Sequence, residues 1–73
     1  IYPNPFENEI TIEIKPNSIT IEIYDLNGIS IFLKNINQVK KTEQIKLERL
    51  NKGIYFLKIK TREQNFFKKI IKI

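Results

Sequence analysis

Ile19-Thr20-Ile21-Glu22-Ile23-Tyr24-Asp25-Leu26-Asn27-Gly28-Ile29-Ser30-Ile31-Phe32-Leu33 is the stretch that decides the fold. Apolar and polar residues alternate on both sides of Asn27-Gly28, the period of half-buried strands, and Asn-Gly is a hairpin signal. Side-chain parity selects the loop. A two-residue loop at Asn27-Gly28 sets Tyr24 opposite Ile31 and turns Ile31 to the wrong face, because directly opposed residues share a face. A three-residue loop, Leu26-Asn27-Gly28, sets Ile23 opposite Ile31 and Ile21 opposite Leu33. Such a loop is a type I turn followed by a left-handed residue, a conformation that suits glycine. A bulged hairpin with Gly28 in the left-handed region is therefore expected.

The alternation continues outward from this hairpin. Ile10, Ile12 and Ile14 alternate with Thr11 and Glu13, Ile45 and Leu47 flank Lys46, and Tyr55, Leu57 and Ile59 alternate with Phe56, Lys58 and Lys60. Phe66 to Ile73 is apolar with Lys68, Lys69 and Lys72 inserted, so its inward face is undecided. Pro16-Asn17-Ser18, Asn51-Lys52-Gly53 and Thr61 to Asn65 punctuate the runs as turns. The last of these joins what should be an antiparallel hairpin. Asn35 to Thr42 reads as a polar connection with room for a short edge strand at Ile36 to Val39. No helical stripe occurs, although Glu48 to Asn51 would fit a single helical turn. Six or seven short strands at this spacing predict an all-β fold, a small Ig-like antiparallel β-sandwich, because one open sheet would leave a face bare.

Composition narrows the function. The chain has 73 residues, enough for one domain over 1–73, and a core this small has a thin stability margin. No methionine occurs, even at position 1, so the chain is expected to be a piece of a longer protein. Cysteine and histidine are absent, which removes disulfides, thiol nucleophiles, thiolate metal sites and imidazole bases. No apolar run approaches the roughly 18 residues of a membrane-spanning helix. Net charge is +5. That suits polyanions or plain solubility, and lysines spread along alternating runs favour solubility.

The chemistry-bearing residues are few. Glu13 and Glu22 are expected on adjacent strands, facing outward as part of a solvated face and not as a glycosidase pair. Asp25 and Asn27 fit Asx-turn hydrogen bonding better than calcium ligation. Ser18 and Ser30 have no base, and two isolated glycines form no phosphate loop. Phe32, Phe56, Phe66 and Phe67 with nearby lysines resemble the ingredients of a single-strand nucleic-acid surface, but core packing explains most aromatics in so small a domain. Neither an enzyme, a metal site, a cofactor nor nucleic-acid binding is expected. In Tyr2-Pro3-Asn4-Pro5-Phe6 each proline fixes its own φ and extends the residue before it. The segment is thus a stiff piece for a sheet edge or entry, docking Tyr2 or Phe6 on the core.

Four pieces occur in order: Tyr2-Pro3-Asn4-Pro5, Ile23-Tyr24-Asp25-Leu26-Asn27-Gly28, Leu50-Asn51-Lys52-Gly53-Ile54-Tyr55-Phe56, and Lys68-Lys69-Ile70-Ile71-Lys72. Together they resemble the type A C-terminal sorting domain of the type IX secretion system of Bacteroidetes, over essentially the whole chain. The resemblance implies an Ig-like sandwich at the end of an exported cargo protein to which it is covalently joined. It implies passage through the periplasm and across the outer membrane to the cell surface or medium. Its implied partners are the translocon, outer-membrane shuttle components and a sortase-like peptidase that removes the domain. It assigns recognition to Lys68, Lys69, Ile70, Ile71 and Lys72, offered as an edge strand with a lysine pattern. It assigns fold-shaping roles to Tyr2, Pro3, Asn4, Pro5, Asp25, Leu26, Asn27, Gly28, Gly53 and Tyr55. The rival readings are a carbohydrate-binding module and a structural Ig-like spacer. Against the first, tryptophan is absent.

Overall fold

In the computed structural model, residues 3–14, 17–36 and 42–73 are described. Their alternating runs become six strands: β1 (Glu9–Glu13), β2 (Ser18–Tyr24), β3 (Ser30–Asn35), β4 (Thr42–Lys46), β5 (Gly53–Thr61) and β6 (Asn65–Lys72). β1 and β4 pair as one antiparallel sheet, and the other four strands form a second in the order β3-β2-β5-β6. The fold is all-β and sandwich-like, with the inward residues of both sheets meeting in one core. Ile10 and Ile12 of β1 and Ile45 of β4 face Ile21 and Ile23 of β2, Leu57 and Ile59 of β5 and Ile70 of β6. Burying an isoleucine or leucine side chain contributes about 1.5–3 kcal/mol. In a domain of this size every inward strand position therefore matters. Tyr2 and most of the Ile36 to Val39 segment lie outside the described residues. Ile36 itself follows β3 and donates its N–H to the Ile19 carbonyl at 2.8 Å.

The β2–β3 hairpin closes as the parity argument requires and then departs from it. The Asp25 N–H donates to the Ile29 carbonyl at 3.0 Å, and the Gly28 N–H donates to the Asp25 carbonyl at 3.0 Å. Leu26-Asn27-Gly28 is thus the loop, and Gly28 has φ +80°. Tyr24 pairs with Ser30 in the expected register. Beyond that pair the register shifts by one residue, so Ile23 faces Phe32, Glu22 faces Leu33 and Ile21 faces Lys34. The expected pairs Ile23–Ile31 and Ile21–Leu33 do not form. Ile31 is the extra residue of a β-bulge. The bulge brings both Ile31 and Phe32 against the core and turns Leu33 out to solvent, 59% exposed.

A second expectation also changes. Glu13 and Glu22 do not lie on adjacent strands, because β1 belongs to the small sheet and β2 to the large one. Of the turn expected at Pro16-Asn17-Ser18, Pro16 lies outside the described residues, and Asn17 and Ser18 fall at this change of sheet. Asn17 is left-handed at φ +63°, a conformation that asparagine tolerates better than most residues.

β5 and β6 form the antiparallel hairpin, with Gly53 opposite Lys72, Tyr55 opposite Ile70, Leu57 opposite Lys68 and Lys60 opposite Asn65. The Thr61 hydroxyl accepts from the Gln64 N–H at 3.0 Å and holds the connecting turn. Ahead of β5, the Leu50 N–H donates to the Leu47 carbonyl at 3.2 Å. The Glu48 to Asn51 region is therefore a turn, and no helix forms among the described residues.

Candidate recognition surface

β6 has two faces and one free side. Its register against β5 puts Phe66, Lys68, Ile70 and Lys72 on the core face and Phe67, Lys69 and Ile71 on the outer face. Ile70 is wholly buried, whereas Lys68 and Lys69 are exposed. Lys72 is only 7% exposed. Its ammonium donates to the Glu7 carbonyl and sits 5.7 Å from the Phe6 ring centroid, within cation–π range. Of the five positions assigned to recognition, the structure brings Lys68 and Lys69 to solvent. Ile70 packs in the core, Ile71 is half-buried, and Lys72 ties the end of the strand to the start of the chain.

The free side of β6 is partly covered. β6 is the outermost strand of its sheet, and an edge strand presents unpaired N–H and C=O groups. Near its end these groups are satisfied by the proline-rich segment. The Asn4 amide donates to the Lys69 carbonyl at 3.1 Å and accepts from the Ile71 N–H at 3.1 Å. The Phe6 N–H donates to the Ile71 carbonyl, and the Phe6 carbonyl accepts from the Ile73 N–H, both at 2.8 Å. Phe6 is wholly buried, with a parallel bridge to Lys72. The segment read from sequence as a stiff lead-in is therefore a short strap on the last strand. Asn4 acts as a side-chain substitute for a strand.

Residues 69, 71 and 73 use their outward groups this way, so strand geometry points the backbone of Phe67 and the N–H of Lys69 outward too. Among the described residues these groups have no bonded partner. The open stretch of edge among the described residues is short and centres on Phe67.

The motifs assigned to folding are local devices. One Asp25 carboxylate oxygen accepts from the Asn27 N–H at 2.8 Å and from the Ile29 N–H at 3.0 Å, an Asx turn that sets the hairpin loop. The Tyr55 ring is buried, and its hydroxyl donates to the Asn51 carbonyl at 2.6 Å. Leu26, Asn27, Pro3 and Pro5 are exposed, and Gly53 begins β5.

On the outer face of the large sheet, the Tyr24 hydroxyl donates to Glu22 Oε1 at 2.6 Å. Hydrogen bonds from Ser30 and Tyr24, with Lys58 nearby, hold the Glu22 carboxyl below its usual range, while the bond to Glu22 pushes the Tyr24 phenol up.

Besides the burial of Lys72, sequence reading missed a second buried charge. The Glu43 carboxylate, 6% exposed, pairs with the Lys34 ammonium across the two sheets. A signal existed, since Glu43 shares the inward parity of Ile45 and Leu47 and so needs a partner. The contacts from Asn4 to β6 left no such trace.

The family model described as the secretion system C-terminal sorting domain matches residues 1–73. An endo-acting ulvan lyase of Formosa agariphila is 31% identical over 77 residues, covering 97% of this chain and 14% of the lyase. The chain therefore spans a small part of that relative. No solved structure matches it.

Proposed function

The chain belongs to the type IX secretion C-terminal sorting domain family, and from that premise we propose that the open edge of β6, with Lys68 and Lys69, is what the export machinery reads. A signal of this kind directs export through the outer membrane, to the cell surface or beyond. The lysines and the edge do different work in this reading. Addition of a partner strand to the Phe67–Lys69 edge supplies backbone hydrogen bonds. The ammonium groups select an acidic partner and discourage indiscriminate pairing. The translocon and its outer-membrane shuttle are the partners. A sortase-like peptidase then removes the domain from the cargo to which it is covalently joined. The chain itself is non-catalytic.

The observation that carries this reading is the backbone at Phe67, unpaired among the described residues, beside two exposed lysines, on a strand whose other end is strapped. The test fuses residues 1–73 to an exported reporter in a host with the translocon. Reporter should reach the surface. Lys68→Glu with Lys69→Glu should hold it in the periplasm while circular dichroism stays unchanged. Lys72 is unsuited to this test, because reversing a buried ammonium would loosen the fold. Surface delivery by the double variant at the level of the unaltered fusion would refute the lysine role.

A further inference from the structure

The two outer faces of the sandwich differ in kind. That of the β1–β4 sheet is polar throughout, pairing Glu9 with Lys46, Thr11 with Gln44 and Glu13 with Thr42. This is the ordinary solvated face of an antiparallel sheet. The face of the four-stranded sheet is not ordinary. Leu33, Phe56 and Phe67 stand on it 59%, 38% and 68% exposed, and Ile54 adds to them. Register gathers Phe56, Phe67, Ile54 and Ile71 at the β5–β6 end of the face: Phe67 lies opposite Lys58, one row from the Phe56–Lys69 pair, and Ile54 lies opposite Ile71, whereas Leu33 stands at the far edge across Glu22 and Lys58. Exposed apolar side chains gathered on one face mark an interaction site.

The charges on that face say what it meets. Lys58, Lys60 and Lys69 stand on it against the single carboxylate of Glu22. That carboxylate is held by Tyr24 and Ser30 and lies opposite Lys58. We infer that this face is a second contact surface of the sorting signal, docking a protein surface whose acidic side chains surround an apolar patch. The inference rests on the sorting reading and extends it to β2, β3 and β5, beyond the terminal strand. Aliphatic side chains and phenylalanines require an apolar counterpart to be desolvated, which a soluble polyanionic chain does not supply. An anionic lipid surface would set headgroups against Glu22, whereas a protein can place a donor there. Phe67 and Lys69 belong both to this face and to the open edge, so one partner can engage both.

The test uses the reporter fusion of residues 1–73. A photo-crosslinking phenylalanine analogue at position 56 replaces the native ring with a similar one, and the same analogue at Thr11 reports on the polar face. In exporting cells, position 56 should yield a protein adduct whose crosslinked peptide is rich in Asp and Glu, and position 11 none. Lys58→Gln with Lys60→Glu, which sets no like charge opposite Glu22, should abolish the adduct and lower surface reporter at least tenfold, with the melting curve little changed. Surface delivery by that variant equal to the unaltered fusion overturns the inference and leaves the sorting reading standing. So does an adduct that contains lipid or polysaccharide, one that forms equally from position 11, or no adduct. An unaltered fusion that never leaves the periplasm overturns the sorting reading and this inference with it.

Discussion

Gly28 carries the hairpin through its backbone alone. At φ +80° a side chain is strained, yet a Cβ built there meets nothing within 4 Å. Gly28→Ala should therefore cost about 1–2 kcal/mol through conformation without any clash. Gly28→Asn should cost less, and urea melts of the two variants will rank them. The Lys34–Glu43 pair behaves differently. Lys34→Met removes the Lys34 ammonium from the Glu43 carboxylate between the sheets, and about 1–3 kcal/mol of stability should be lost. Adding Glu43→Leu should restore most of it, as apolar replacements of buried pairs often do. Glu22 sets a pH dependence. Its folded-state carboxyl titrates below the unfolded one, so its contribution is full above the ordinary glutamate range and is lost as pH falls through the lowered value. Glu22→Gln should flatten the acid limb of the stability curve measured by thermal melts, and leave the neutral region nearly flat as before.

At the scale of elements, β6 is held on one side by β5 and on part of the other by the strap. Asn4→Ala removes two hydrogen bonds to β6 and should cost about 1–2 kcal/mol. Asn4→Asp keeps the acceptor for the Ile71 N–H but cannot donate to Lys69, and should fall between the two. Hydrogen exchange at Ile71 and Ile73 will show whether the strap opens. Prolines separate the two sides of β6 more sharply. Lys68 faces Leu57 and its backbone pairs with β5, so Lys68→Pro breaks the ladder. The Phe67 N–H points away from β5, and Phe67→Pro should leave the sheet intact.

For the whole molecule, what local pattern can carry was legible. Alternation in Ile21-Glu22-Ile23 and Tyr55-Phe56-Leu57 fixed those inward faces, and the Asp25 to Gly28 loop followed from parity. The bulge at Ile31 was hidden because either neighbouring register keeps some apolar residue inward, and only packing of Phe32 against the core decides. The partition of β1 and β2 into different sheets was invisible for a related reason: alternation orders side chains within a strand but names no neighbour. The strap was legible only in part: the prolines pointed to a sheet edge with Phe6 on the core, as found, but not to its partner. Asn4 meets β6 across 65 and 67 residues of sequence, and nothing in a stiff proline segment says which edge it covers. The apolar outer face fell between these cases, since Phe56 and Phe67 stood out as residues, but only the register sets them beside each other and beside Lys58 and Lys69.

These scales meet in the claim that export machinery pairs with the backbone at Phe67, which no described residue covers. Surface reporter from the Phe67→Pro fusion, normalised to expression and checked for an unchanged circular dichroism spectrum, measures it most directly. Retention in the periplasm is the predicted result. Delivery to the surface at the unaltered level, with the sheet intact, would contradict the account.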